Sequence, residues 1–162
     1  MMHLITIYVD ADGCPVKNEV YRVAKRFGLK VYLVSNSRMG IPQEELFELV
    51  IVNERFNAAD DWIVEQVRDN DIVVSADIPL AARCLEKEAR VIDPRGRVFT
   101  KESIGDALAN RDLMAYLRDM GNMTGGPAPF EKRDRSRFLQ RLDDVIQAAV
   151  RGRNGKSPGR NP

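Results

Sequence analysis

Residues 4 to 10, LITIYVD, are apolar and β-branched almost without a polar break, and the run stops on an aspartate. A strand covered on both faces of a sheet needs such a run. Past it, Val16, Val20, Val23, Ala24 and Phe27 recur at helical spacing between Pro15 and Gly28. The proline suits a first helical turn, where its missing N–H costs nothing, and the glycine suits a stop. KVYLVS (30 to 35) predicts a second strand, and LFELVIVN (46 to 53) a third, entered through a turn at Gly40 and Pro42. NAADDWIVEQVRD (57 to 69) predicts a helix capped by Asn57, with Ala59, Trp62, Ile63 and Val67 inward. DIVVS (71 to 75), IPLAARCLEKE (78 to 88) and ARVID (89 to 93) then read as strand, helix, strand on short connections. That alternation is the mark of βαβ units and a mostly parallel sheet, an α/β fold.

The rhythm changes after DPRGRVFT. Residues 101 to 120 predict a longer amphipathic helix carrying Ile104, Leu108, Leu113, Tyr116 and Leu117, expected to pack on a sheet face. Residues 121 to 136 form a glycine- and proline-rich loop, and 136 to 150 a final helix with Phe138, Leu142, Val145, Ile146 and Ala149 on one stripe. The segment 151 to 162 has no apolar residue except prolines and is expected to be a disordered basic tail. Residues 1 to 150 therefore read as one domain, and a chain of about 150 residues buries about 70% of its unfolded surface in a single core.

Composition narrows the function. With 25 basic against 24 acidic residues the formal net charge is +1, so any pull on nucleic acid must come from local patches. Two cysteines, Cys14 and Cys84, cannot build a disulfide framework, and no leader-like segment opens the chain, which leads us to expect a cytoplasmic protein. No apolar segment approaches the roughly 20 residues that cross a bilayer, so no membrane role is expected.

The candidate chemistry lies in the acids. Ligand sites of parallel sheets lie beyond the carboxyl ends of the strands, where strand order reverses. Asp10 and Asp12 stand at that end of the first strand, Asp77 at that end of the strand at 71 to 75, and Asp60 with Asp61 opens a helix facing the same rim. These stretches meet if the first strand and the strand at 71 to 75 are neighbours. Crowded carboxylates repel and raise one another's pKa, and a hard dication relieves them. Mg²⁺ or Mn²⁺ suits an all-oxygen set, whereas a single histidine, His3, excludes a histidine-rich zinc site. Singly, each aspartate is better explained as a turn or helix cap; three acidic stretches together, and two carboxylates in DAD, exceed what capping requires. Cys14 reads as a small packed residue with no histidine to activate it.

YVDADGCPVKNEVYRVAKR, VSADIPLAARCL, VIDPRGRVFT and GPAPFEKRDRSRFLQRLD together resemble the YaiI/YqxD family of uncharacterised bacterial proteins, up to about residue 147. That family is grouped with PIN-like nucleases. The resemblance implies a three-layer α/β/α sandwich with a mostly parallel central sheet and an acidic Mg²⁺ or Mn²⁺ site for phosphodiester hydrolysis. It implies that Asp10, Asp77 and one of Asp60 and Asp61 are metal ligands, with Asp10 and Asp77 at the chemistry; Asp12, the second acid of DAD, is the candidate to join them there in place of an acid the pattern lacks. PIN nucleases carry a further glutamate, and Glu19, Glu44 and Glu45 do not clearly fill its place.

Lys132, Arg133, Arg135, Arg137 and Arg141 crowd the start of the last helix, with Arg151, Arg153, Lys156 and Arg160 beyond. They form a candidate nucleic-acid surface, RNA ahead of DNA, although Asp134, Asp143 and Asp144 interleave and a solvated helix face explains them equally well. Two alternatives stay open. YVDADG also resembles the first motif of haloacid-dehalogenase-type phosphatases, which would make Asp10 a nucleophile, Asp12 a general acid and Ser35 a phosphate-binding residue. A non-catalytic nucleic-acid-binding module is the other, and a homo-oligomer is compatible with each.

Overall fold

A computed structural model describes residues 5–55, 57–121 and 128–155. Among these described residues six strands form one sheet in the order β3-β2-β1-β4-β5-β6: β1 (Thr6–Asp10), β2 (Lys30–Ser35), β3 (Phe47–Ile51), β4 (Ile72–Val74), β5 (Arg90–Ile92) and β6 (Val98–Phe99). The first five are parallel and β6 returns antiparallel to β5. The helices are α1 (Lys17–Phe27), α2 (Ala58–Gln66), α3 (Ile78–Glu86), α4 (Lys101–Asp119) and α5 (Lys132–Gly155).

Alternation along the central strand divides the core in two. Ile7 and Val9 pack with Val20, Val23 and Ala24 of α1 and Phe138, Leu142 and Ile146 of α5. Tyr8, on the other face, packs with Ile63 of α2 and Leu80 and Cys84 of α3. The result is the expected three-layer α/β/α sandwich around a mostly parallel sheet. Tyr8, Tyr32 and Trp62 form an aromatic trio on the α2 side, with ring centroids 5.6 to 6.0 Å apart. At the amino edge, buried Asp71 accepts from the Thr6 and Arg68 backbone N–H groups and pairs with Arg153 of α5 at 3.5 Å.

Several expectations need correction. Asn57 does not cap α2 through its side chain; it holds a left-handed backbone (φ 66°) and the helix begins after it. The strand β6 was not foreseen, because two residues are too short for a periodic signal. It is set up by a tight turn in which the Asp93 carboxylate accepts from the N–H groups of Arg95 and Arg97. Helix α4 packs against α3 and not on a sheet face: beyond buried Ala107 its second half is little covered, with Leu113, Tyr116 and, just past its end, Met120 each more than half exposed. Helix α5 begins at Lys132, four residues before the predicted start, and continues to Gly155, past the predicted limit at 150. The extension is anchored, since Gly152 lies against Asn70 and Arg153 reaches the Asp69 carbonyl and Asp71. The glycine-rich part of the preceding loop and residues 156–162, with Lys156 and Arg160, lie outside the described residues. Among the described residues no helix is long and apolar enough to cross a membrane.

Candidate functional site

Strand order reverses between β1 and β4, which pair directly through Ile7–Ile72, Tyr8–Val73 and Val9–Val74. The crevice beyond their carboxyl ends is therefore the expected place for a ligand. Asp10 closes β1 there. Two residues after β4 follow the same exit: Ser75, 2% exposed, donates its hydroxyl to Asp10 Oδ2 at 2.9 Å and accepts the Asp77 N–H at 3.0 Å. One serine thus fixes both aspartates. Asp77 in turn caps α3, its Oδ1 accepting from the Leu80 N–H at 3.0 Å. Asp60 arrives from the first turn of α2. Asp10, Asp60 and Asp77 line one cleft of about 310 Å³.

The carboxylates load one another. Burial pushes the Asp60 pKa up to about 6, with the charges of Asp77 and Asp10 adding to it and Arg83 opposing it. Burial also raises Asp10, the Ser75 hydrogen bond opposes this, and Asp77 and Asp12 raise it further. A site that holds negative charge at this strain favours a proton or a cation.

The other two aspartates are engaged elsewhere. Gly13 (φ 75°) turns the chain sharply after Asp12. There Asp12 Oδ1 accepts from the Ser35 hydroxyl at 2.7 Å and Oδ2 from the Asn36 N–H at 3.0 Å, tying the β1 exit to the β2 exit. Ser35 is itself fully buried and also bridges to Ser37. Asp61 sits between two arginines, Oδ1 accepting from Arg83 at 3.0 Å and Oδ2 from Arg55 at 3.4 Å.

Sequence reasoning missed further residues that line this cleft. Asn36, Glu54, Arg55 and Asn57, the last three from the loop between β3 and α2, line the same cleft. Glu54 is the glutamate at this cleft; Glu19 is buried and paired with Arg135 at 3.1 Å, and Glu44 is paired with Lys25 at 3.2 Å. A loop residue of this kind leaves no periodic signal, and only its place between a strand and an acid-rich helix start pointed to it. Cys14 is buried with its thiol pushed up, chiefly by that burial, which agrees with a packing role.

The oxygen-only donor set, with proton affinity raised on two of its members, fits a hard dication. Among the described residues no three histidine, cysteine or carboxylate side chains stand close enough to cage a metal directly. An ion such as Mg²⁺, which retains waters and takes one or two carboxylates, does not need a cage.

The basic cluster is largely engaged within the fold. Arg135 donates to the Pro15 carbonyl at 2.7 Å and pairs with Glu19; Arg133 pairs with Glu131 at 2.8 Å; Arg95 and Arg137 both reach buried Asp134, at 3.1 and 3.7 Å. Phe130 lies between the guanidinium groups of Arg95 and Arg135, 5.6 and 5.1 Å from its ring centre. These residues lock the start of α5 to α1 and to the β5–β6 turn. Lys132, Arg133, Arg137 and Arg141 remain exposed.

Known proteins agree with the motifs. The family model described as "Uncharacterized BCR, YaiI/YqxD family" matches residues 8–148. UPF0178 protein RC1_2062 of Rhodospirillum centenum is 53% identical over 154 residues, 93% of this chain and 100% of its own. UPF0178 protein amb2838 of Paramagnetospirillum magneticum is 52% identical over 145 residues, 90% of this chain and 96% of its own. A UPF0178 protein of Brucella ovis is 56% identical over 143 residues, 88% of this chain and 89% of its own. No solved structure matches significantly. With the strand exits, the acidic cleft and most of the terminal helix inside the matched region, the chain belongs to the YaiI/YqxD family.

Proposed function

We propose that the cleft binds Mg²⁺ or Mn²⁺, one or two of the carboxylates of Asp10, Asp60 and Asp77 holding it directly and the rest through its waters, and that the chain is a metal-dependent nuclease acting on phosphodiesters, RNA ahead of DNA. The observation that carries this reading is the meeting of three carboxylates from three separate elements at the strand-order reversal, with Asp10 and Asp60 both raised in proton affinity. Structural capping explains Asp77 alone. It leaves Asp10 and Asp60 as mutually repelling, half-buried groups, which the Ser75 hydrogen bond and the Arg83 charge offset only in part.

When bound, such an ion lowers the pKa of a coordinated water and offsets charge on phosphoryl oxygens. The chain's own part is positional. Ser75 holds the Asp10 carboxylate in place, the α3 cap fixes Asp77, and the loop carrying Glu54 and Arg55 lines the same cleft. The phosphatase alternative needs Asp12 and Ser35 to face a substrate, and the two are bonded to each other with Ser35 fully buried. That favours the nuclease reading.

Calorimetric titration of Mn²⁺ into metal-free protein tests it, with wild type beside an Asp10→Asn, Asp77→Asn variant, followed by hydrolysis of labelled single-stranded RNA, single-stranded DNA and a generic phosphomonoester. Binding by the wild type alone, with cleavage of an oligonucleotide, supports the reading. Wild type that ignores millimolar Mn²⁺ yet retards RNA in a gel supports the binding-module alternative.

A further inference from the structure

The ion-paired trio Arg55–Asp61–Arg83 adjoins the acidic cleft through Arg55, and its arrangement is not explained by neutralisation alone. Asp61 gives one oxygen to each arginine, so two cations share one anion and the trio keeps a net positive charge. Both guanidiniums remain open to solvent, the side chains 62% and 44% exposed, while Asp61 is 36% exposed beneath them. Each uses one N–H group in the shared pair and keeps donors of its planar fork for another oxyanion. Arg55 lines the cleft together with Asp10, Asp60 and Asp77. Arg83 is close enough to Asp60 to lower its proton affinity.

We propose that Arg55 and Arg83, oriented by Asp61, form a phosphate-binding lip that receives the backbone phosphate of a single-stranded nucleic acid next to the acidic cleft. The inference deepens the nuclease reading and rests on it. A phosphodiester brought to three carboxylates meets repulsion, and a fixed pair of guanidiniums on the same rim supplies the opposing attraction at short range. Asp61 keeps the two forks from dispersing into solvent, which lowers the entropy lost when they engage an oxyanion. The cleft, at about 310 Å³, lies at the small end of ligand sites, so it takes a single phosphate-bearing unit and leaves the flanking strand on the surface. The lip also gives Asp61 a positioning role in place of the ligand role that the sequence suggested.

The test is fluorescence anisotropy of a short labelled single-stranded oligonucleotide with a phosphorothioate backbone, with and without Mn²⁺. Wild type is compared with Arg55→Gln, Arg83→Gln and, as a control on the other basic surface, Lys132→Gln with Arg133→Gln; calorimetric Mn²⁺ titration of each variant runs in parallel. All of these side chains are exposed, so the variants fold. The lip predicts that each arginine substitution weakens oligonucleotide binding at least about fivefold and lowers the salt slope by about 0.7, the single-strand value for one lost phosphate contact. Mn²⁺ binding survives Arg55→Gln. Unchanged oligonucleotide affinity in both arginine variants overturns the lip, as does a loss confined to the α5 control or a wild type that binds no oligonucleotide under either condition. If the wild type binds no Mn²⁺ but binds the oligonucleotide through Arg55 and Arg83, the lip stands and the metal reading fails.

Discussion

Asp10 and Asp12 are one residue apart in sequence, and the structure predicts opposite consequences for removing them. Asp12 is exposed as a residue, but its carboxylate ties two strand exits through the Ser35 hydroxyl and the Asn36 N–H. Hydrogen bonds to a charged group contribute about 1.5–3 kcal/mol when sheltered. Solvent competes for this one, and Ser35 can still donate to the Ser37 carbonyl, so Asp12→Ala should destabilise by about 1–2 kcal/mol after discounting for exposure. For a chain of this size that lowers Tm by about 2–8 °C. Asp10→Asn should do the reverse. The amide keeps an oxygen for Ser75 and removes a charge that burial, Asp77 and Asp12 all disfavour, so Tm holds or rises. Divalent-ion affinity should fall at least about tenfold in Asp10→Asn, since altering even the groups that orient a metal ligand costs 10–100-fold, and should stay within about threefold of wild type in Asp12→Ala. Differential scanning calorimetry and Mn²⁺ titration measure both quantities on the same samples. The reasoning is refuted if Asp12→Ala abolishes Mn²⁺ binding without lowering Tm, or if Asp10→Asn unfolds as early as Asp12→Ala.

Five further outcomes can be measured on the same protein. In metal-free protein the Asp60 carboxyl should titrate near pH 6 by carbon-detected NMR, and Asp77→Asn should move the midpoint down only part of the way, because burial is the larger cause. The raised midpoint means that Asp60 stabilises the metal-free fold fully below about pH 4 and that this contribution disappears as pH rises through about 6, so Asp60→Asn should flatten the slope of stability against pH in that window. Gly96→Ala should lower Tm, since residue 96 holds φ 90° and a Cβ there would stand 2.9 Å from Arg137 Cγ and 3.1 Å from its backbone carbon; a strain of about 1–3 kcal/mol is expected, and an unchanged Tm would place the turn elsewhere. Phe138→Ala, at a fully buried site between α1 and the sheet, should cost about 3–5 kcal/mol in chemical denaturation. Truncation after residue 150 should also destabilise, by about 1–3 kcal/mol, because it removes the Arg153 contact with buried Asp71; a disordered tail starting at 151 would leave stability untouched.

The scaffold was legible because its strands are buried on both faces. Ile7, Val9, Val31, Leu33, Val73 and Val91 are fully excluded from water, and such strands must be written as apolar runs. The convergence of Asp10, Asp60 and Asp77 followed from those runs, since each acid is an adjunct of a strand exit or a helix start. What stayed hidden depends on partners distant in sequence. Nothing local tells Asp12 from Asp10; the difference is made by Ser35, 23 residues away, which draws one carboxylate off the cleft. Asp61 looked like Asp60 until Arg55 and Arg83 were brought to it. The basic run of α5 looked like a surface for phosphates, and Arg135 in fact reaches back to Glu19, 116 residues earlier, to fasten the last helix to the first. Helix α4 misled for a different reason: its apolar positions have the right spacing, but spacing fixes which side is apolar and leaves open whether anything covers it.

Charge is sorted at this rim by the neighbour each group finds. A carboxylate with two N–H or O–H donors, as Asp12 and Asp93 have, is satisfied and orders a turn. One shared between two guanidiniums, as Asp61 is, orders cations. Asp10 accepts a single hydroxyl, and Asp60 is half-buried among other acids with only Arg83 opposing them, so the proton affinity of both is raised. The same crowding of acids excludes a bare phosphate, which is why an acidic cleft alone is an incomplete site for an anionic polymer. Two exposed arginines anchored on its edge supply what the aspartates cannot, and cation and phosphate can then occupy adjacent positions on one rim without either displacing the other.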